Sequence, residues 1–293
     1  MSFLQFLARK KGEPNNNRTL FPPGHFYSPI PDPAEVKKRE QQIFDRSRPT
    51  IPGIDLNLEE QLALLEKFRA FYGELPFTPE RVDGNRYYFE NSFYMYSDAI
   101  FLYSVIRHFQ PKRIIEVGSG FSSFCILDTN EKFFKNSIKC RFIEPYPERL
   151  LSQLKNEDKD RIEISATTLQ DTNLSTFDQL GENDLLVIDS THVSKTGSDV
   201  NAIFFDILPR LKKGVLVHFH DIFYPFEYPS DWVYEGRSWN EAYMLRTFLQ
   251  FNNCFRIIFF NTFLAQFYEE KFQKDFPLCL KNTGGSIWLR KEC

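Results

Sequence analysis

The stretch "RIIEVGSGFSS", residues 113–123, decides how the rest of the chain is read. Ile114, Ile115 and Val117 form a short apolar run that stops at Gly118. Such a run is too short for a helix of ordinary length, and its near-continuous apolarity suits a strand covered on both faces. Gly118 and Gly120 are expected to let the backbone turn tightly and come close to a ligand. The residues that follow, "FSSFCILDTNEKFF", suit a helix. Strand, glycine turn and helix in that order mark the ligand-binding edge of a parallel sheet, because ligands gather at the carboxyl ends of its strands.

The same texture repeats outward from this point. "KCRFIEP" (139–145), "RIEIS" (161–165), "DLLVIDS" (184–190), "GVLVHFHD" (214–221), "FRIIFFN" (255–261) and "GGSIWLRK" (284–291) read as further strands. Between them, "YPERLLSQL", "GSDVNAIFFDILPRL" and "NEAYMLRTFLQFN" read as helices. Alternating strands and helices, with strands apolar on both faces, predict an α/β fold with a mostly parallel sheet between helical layers. Upstream, helices are expected over 33–47, over 57–75 behind an Asn57 cap, and over 97–110 behind a Ser-Asp cap. The organisation expected is an N-terminal arm and helical cap over 1–96 and a main domain over 97–293. The arm carries "FPPGHFYSPIPDP", whose aromatic side chains argue that it packs on the body near a site.

Composition narrows the function classes. The chain has 293 residues and a formal net charge of -3, so no global basic field draws nucleic acid or anionic lipid. Apolar runs fall far short of the roughly 20 residues that a membrane span needs. The N-terminal segment does not have the charge order of a secretory signal. Five cysteines without a C-x-x-C pair are expected to be free thiols in a reducing cytoplasm. Aromatic residues make up 16 % of the chain, with 32 Phe, which predicts a Phe-filled core and aromatic pocket walls.

Two acids refine the ligand. Glu144 ends the second strand, where a carboxylate can accept hydrogen bonds from a ribose diol. Glu116 lies two residues before Gly118, where it would repel a pyrophosphate and favour a cofactor with a cationic amino-acid tail. Ser123 stands where a dinucleotide fingerprint wants its third small residue. On these residues the sequence resembles the class I S-adenosylmethionine-dependent methyltransferases. Their first motif, acid-x-Gly-x-Gly-x-Gly, is matched by "EVGSGFS" with Ser122 in the last glycine place. The resemblance covers roughly 97–291. It implies a Rossmann-like, doubly wound, seven-stranded sheet with the last strand inserted antiparallel. It also implies a cofactor site built from Glu116, Gly118, Ser119, Gly120, Ser122, Glu144, Pro145 and Asp189.

The fourth and fifth strands end in "VIDSTH" and "VHFHD". Their ends should be neighbours, bringing Asp189, His192, His220 and Asp221 to one spot. "IDSTH" and "HDIF" resemble the small-molecule and sugar O-methyltransferase branch, with Ser190 in place of its usual glycine. The resemblance implies a divalent metal such as Mg2+ on Asp189 and Asp221, with His220 as a third ligand. The residues alone leave a second possibility open, in which His192 or His220 acts as general base with Asp189 beside it. His218, deeper on the same strand, is expected to be a core histidine. After strand five, "YPFEYPSDWVYEGRSWNEAYM" is expected to overhang the site. Trp232, Arg237, Trp239 and Asn240 are its candidate substrate contacts, joined by Tyr27 from the arm. Glu241 is weighed beside them.

The function expected is methyl transfer to a hydroxyl of a small molecule or saccharide. The alternatives are a cofactor-binding protein of the same fold without transfer activity and a nicotinamide-dependent oxidoreductase. A homo-oligomer stays open.

Overall fold

The computed structural model describes residues 19–293; the expected reading of the first 18 residues lies outside that range. Packing divides the chain into two units, at Ile43 and Phe44. In the first, Asp32 caps the helix Pro33–Lys38 by accepting from the backbone N–H of Ala34, and a second short helix covers Glu40–Ile43. The helix expected over 33–47 therefore appears as these two pieces. The ring of Tyr27 packs beside those of Phe21, His25 and Phe26 within this unit.

The second unit holds a seven-stranded sheet in the order β3-β2-β1-β4-β5-β7-β6. The strands are β1 (Arg113–Val117), β2 (Lys139–Ile143), β3 (Ile162–Ser165), β4 (Leu185–Ile188), β5 (Leu216–His220), β6 (Phe255–Phe260) and β7 (Ser286–Lys291). All neighbours are parallel except β7, which runs antiparallel to β5 and β6. All four residues of β4 are buried, as are all five of β5. Helix Leu58–Tyr72 packs on β6 and on helix Tyr96–Phe109, which in turn lies along helix Phe121–Phe134. Phenylalanine fills this layer: Phe101 sits 4.5 Å from Phe259, and Phe68 sits 5.4 Å from it, centroid to centroid. No helix among the described residues is long and apolar enough to cross a membrane.

The structure corrects three local expectations. Asn57 does not cap its helix by a side-chain hydrogen bond. It adopts a left-handed conformation, and its amide donates instead to the Ile257 carbonyl, tying the helix to β6. Ser97 and Asp98 do not cap the third helix either, because that helix begins at Tyr96. Asp98 turns inward and accepts from Gly285 N–H, Asn261 Nδ2 and the Ser286 hydroxyl. Finally, two of the five cysteines are not free thiols: Cys254 and Cys293 form a disulfide, while Cys125, Cys140 and Cys279 are free and buried. Phe255 on β6 pairs with Lys291 on β7, and this brings the two cysteines together across a sequence separation of 39. Linear spacing carries no sign of that pairing.

One buried ionic cluster fastens the segment between helices Leu58–Tyr72 and Tyr96–Phe109 to helix Phe121–Phe134 and to the turn before β3. Arg86, only 3 % exposed, donates to Asp128, Glu131 and Asp158 at 2.6, 2.8 and 2.7 Å. Removing one member of such a cluster leaves its partners charged and unpaired. Arg86→Ala should therefore cost about 3–5 kcal/mol of stability in a denaturant titration. A loss below about 1 kcal/mol, the scale of an exposed ion pair, would contradict this role.

Candidate active site

Strand register places the site. Val117 pairs with Ile188, and Ile188 pairs with Phe219, so the residues just after β1, β4 and β5 meet at one edge of the sheet. Gly118 follows β1 with φ +82°, and a Cβ there would collide with the carbonyl oxygen of Asp189. Both the conformation and the close approach require glycine. Gly120 differs from expectation: its backbone φ is -178°, an extended value open to any residue, and a Cβ would meet only the Arg149 side chain at ordinary distance.

The groove beside β1 has the donors and acceptors of a cofactor site. Glu144 Oε2 accepts from Ser119 N–H at 3.0 Å, and Oε1 accepts from Tyr146 N–H at 2.8 Å. Pro145, next in the chain, is exposed. Glu116 is fully buried, and its Oε2 accepts from the Ser123 hydroxyl at 2.5 Å. Its Oε1, together with the hydroxyls of Ser119 and Ser122, is buried without a hydrogen-bond partner. Buried polar atoms are almost always paired in a finished site. Three orphaned atoms here, two acceptor-capable hydroxyls and a carboxylate oxygen, fit an amino-acid tail bearing an ammonium. Burial pushes the Glu116 carboxyl up to about 8, and the nearby charges of Asp189 and Glu144 add to the rise.

The second cluster stands at the ends of β4 and β5. Asp189, His220 and Asp221 each offer one atom, and these lie within 4.8 Å of one another. His220 Nδ1 is 3.4 Å from Asp189 Oδ1 and 3.8 Å from Asp221 Oδ2. His192 Nε2 also faces this pair, at 3.5 Å from Asp189 and 3.6 Å from Asp221. Its Nδ1 is 2.9 Å from Glu241 Oε2, and Glu241 Oε1 accepts from the Ser190 hydroxyl. Burial disfavours the charged form of His192, but Asp189 and Glu241 outweigh it and raise the imidazole to about 10. Burial works against charge on Asp189 as well, yet the two imidazoles hold its carboxyl well below the usual range. His218 stands apart, stacked on Trp288 at 4.3 Å with Nε2 3.2 Å from the Tyr94 hydroxyl; burial and the neighbouring His220 depress it to about 3.

The segment after β5 closes over this edge. It contains a short helix, Ser230–Tyr234, and an aromatic stack in which Trp239 lies 4.3 Å from His192 and 5.4 Å from Trp232. Arg237 lies over Trp232 at 4.1 Å and pairs with Glu235. Trp232, Arg237 and Trp239 line a cavity of about 910 Å³ whose lining also includes Asp98 and Asp221. Asn240 does not line it; both ends of its amide are bonded to the Ser194 backbone. Tyr27 belongs to the first unit.

Two acids escaped sequence reasoning. Asp98 read as a helix cap, and Glu241 was weighed as a substrate contact, not as the partner of His192. A Ser-Asp pair before an apolar run is the ordinary signature of a cap, so nothing in the local pattern marked Asp98. Glu241 lies close behind the aromatic segment, and only the fold brings it to a histidine 49 positions earlier.

A doubly wound sheet with a glycine turn and polar groups at its carboxyl edge has its ligand place where such sheets bind nucleotides and nucleosides. A family model described as a methyltransferase domain matches residues 115–222. An uncharacterised protein of Archaeoglobus fulgidus is 42 % identical over 171 residues, which span 56 % of this chain and 75 % of that protein. Among solved structures, the chain is similar to the S-adenosylhomocysteine-bound methyltransferase PaMTH1 of Podospora anserina. Identity there is 15 %, with 90 % of this chain and 98 % of the other covered and a TM-score of 0.43. It is also similar to the O-methyltransferase TomG of Streptomyces achromogenes in complex with S-adenosylmethionine, at 14 % identity, 88 % and 96 % coverage and a TM-score of 0.43. The chain belongs to one family with the Archaeoglobus protein, and its residues 115–222 form a methyltransferase domain.

The raised Glu116 gives a pH dependence of known sign. The ordinary value is 4.5 and the folded value about 8, so the folded chain holds this proton more tightly. Its contribution to stability is complete below the ordinary value and is lost as pH rises through about 8. The thermal midpoint of the cofactor-free protein should fall across that window, and S-adenosylhomocysteine, by pairing its ammonium with the carboxylate, should flatten the fall. Glu116→Gln should abolish this slope; a variant with the same slope would show that another group carries it.

Proposed function

We propose that this methyltransferase acts on a hydroxyl oxygen of a small polar acceptor, such as a saccharide, with a divalent cation held by Asp189, His220 and Asp221. The observation that carries the reading is that Asp221 belongs both to this cluster and to the lining of the 910 Å³ cavity. The acceptor's place and the candidate metal place are thus adjacent, at the sheet edge that also holds Glu116 and Gly118.

The donor set fits a divalent cation. Two carboxylates and an imidazole converge, and cations of this kind accept oxygen donors from carboxylates with further sites left for water or ligand. A cation bound there would orient the acceptor hydroxyl and make its proton easier to remove. S-adenosylmethionine supplies an electrophilic methyl group when bound. The chain's own residues account for the rest. Ser119, Ser122, Glu116 and Glu144 hold the cofactor beside β1. With Nδ1 committed to Glu241, His192 presents Nε2 toward Asp189 and Asp221; these acids hold its proton up to about 10, and with their charge neutralised by a cation, Nε2 would lose that proton and be able to take the hydroxyl proton. Trp232 and Trp239 offer faces on which a sugar ring stacks, and Arg237 supplies a polar edge. Closing of this aromatic wall over the cavity keeps bulk water from the reacting oxygen.

Calorimetric titration separates the parts of this reading. S-adenosylhomocysteine should bind the wild type, and Glu144→Ala should weaken it by about tenfold or more, the effect of losing a charge-assisted hydrogen bond pair. Mg2+ or Mn2+ should bind the wild type and not the double variant Asp189→Asn/Asp221→Asn, with cofactor affinity in that variant changed little. Equal cation binding by wild type and double variant would remove the cation from the account.

A further inference from the structure

We propose that Asp98 is the positioning residue for His220, and that by fixing this imidazole it makes the cation site prefer Mn2+ and similar ions over Mg2+. The inference rests on the cation reading above and names the ion class of the same site.

Asp98 comes from the helix Tyr96–Phe109, upstream of β1 and outside every motif that defines the cofactor groove. It is 4 % exposed. Its Oδ1 is saturated by three donors: Gly285 N–H at 3.0 Å, Asn261 Nδ2 at 3.1 Å and the Ser286 hydroxyl. Gly284, with φ +68°, leaves the room in which this carboxylate sits, because a Cβ there would overlap it. The carboxylate is therefore anchored on one oxygen and offers the other, Oδ2, to His220 Nε2 at 3.5 Å. Tyr94 covers the imidazole from one side, ring centroids 4.8 Å apart.

This arrangement suits an imidazole that binds a cation through Nδ1. A neutral imidazole has one N–H and one lone pair. An imidazole that ligates a cation through Nδ1 keeps its proton on Nε2, where the anchored Asp98 Oδ2 can accept it, and Nδ1 of His220 is the nitrogen that faces Asp189 Oδ1 and Asp221 Oδ2. Two carboxylate oxygens and the Nδ1 lone pair of such an imidazole then converge, and a cation is what their convergence suits. Carboxylates that orient metal-binding histidines through the far nitrogen act in this way generally. The third donor is consequential for selectivity. Mg2+ strongly favours oxygen ligands and keeps its water, whereas Mn2+ and its heavier neighbours accept imidazole nitrogen readily. A site of two carboxylates alone would suit Mg2+; adding a pre-oriented imidazole shifts it toward the nitrogen-accepting ions.

The test is Mn2+ binding to the full chain saturated with S-adenosylhomocysteine, with free Mn2+ followed by electron paramagnetic resonance and Mg2+ added as competitor. The wild type should bind Mn2+ about tenfold or more tighter than Mg2+. Asp98→Asn keeps the shape but presents an N–H to Nε2, which moves the imidazole proton to Nδ1. This variant should lose about 10–100-fold in Mn2+ affinity, with Mg2+ and cofactor binding little changed. A purely structural role would weaken both ions alike. Unchanged Mn2+ affinity in Asp98→Asn, equal loss for both ions, or a wild type that prefers Mg2+ would overturn the proposal. Should Asp98→Asn fail to fold, pulsed resonance on Mn2+-loaded wild type with 15N-histidine decides: a directly bound imidazole nitrogen supports the proposal, and its absence overturns it. A wild type that binds neither ion sinks the cation reading and this inference with it, whereas an indifferent Asp98→Asn overturns the inference alone.

Discussion

The contact between Gly118 and the Asp189 carbonyl is the constraint on which the active edge depends. β1 and β4 lie side by side where the sheet's strand order reverses, and the chain leaves both strands at the same level. A side chain on Gly118 would push the two exits apart. With glycine there, the backbone after β1 turns toward Glu144 on one side while Asp189 stays beside His220 on the other. Cofactor groove and acid–imidazole cluster are therefore two halves of one geometry. Separating the strand exits would disturb both together.

Electrostatics at that edge are costly by design of the fold. Asp98, Asp189, Asp221 and Glu241 bring four carboxylates around the imidazoles of His192 and His220, mostly out of water. Buried charges persist only when paired or when they bind a cation. Each imidazole is held on its outer nitrogen by an acid from a different part of the chain, Glu241 for His192 and Asp98 for His220. Both inner nitrogens face the same two carboxylates. The helix Tyr96–Phe109 and the helix behind the aromatic segment thus take part in the site although neither contributes to the sheet. The non-glycine residues His192 and Asp221 both adopt positive φ at this point, which marks local backbone strain where the side chains are aimed.

The sheet was legible because its signal is local. A run such as Leu185–Ile188 is apolar on both faces, and its turn residues announce its end, so seven strands could be read from composition and period alone. The motif acids were legible because they stand at strand ends whose level the parallel register dictates: Glu116 is the penultimate residue of β1, and Glu144, Asp189 and Asp221 directly follow β2, β4 and β5. What escaped depends on tertiary approach. Asp98 sits on a helix whose first turn imitates a cap, and its partner is reached across 122 residues of chain. The Cys254–Cys293 disulfide depends on the antiparallel insertion of β7, which sets two distant cysteines at the same end of adjacent strands. Asn240 read as a substrate contact because it follows an aromatic run, but the loop after β4 approaches closely enough to use its whole amide.

The central claim is that the ends of β4 and β5 form a cation site at the floor of the acceptor cavity. Anomalous diffraction from crystals grown with S-adenosylhomocysteine and Mn2+ tests it most directly. The account predicts one strong manganese peak enclosed by Asp189, His220 and Asp221. No peak there in crystals that hold the cofactor, or a peak only at other residues, would contradict it.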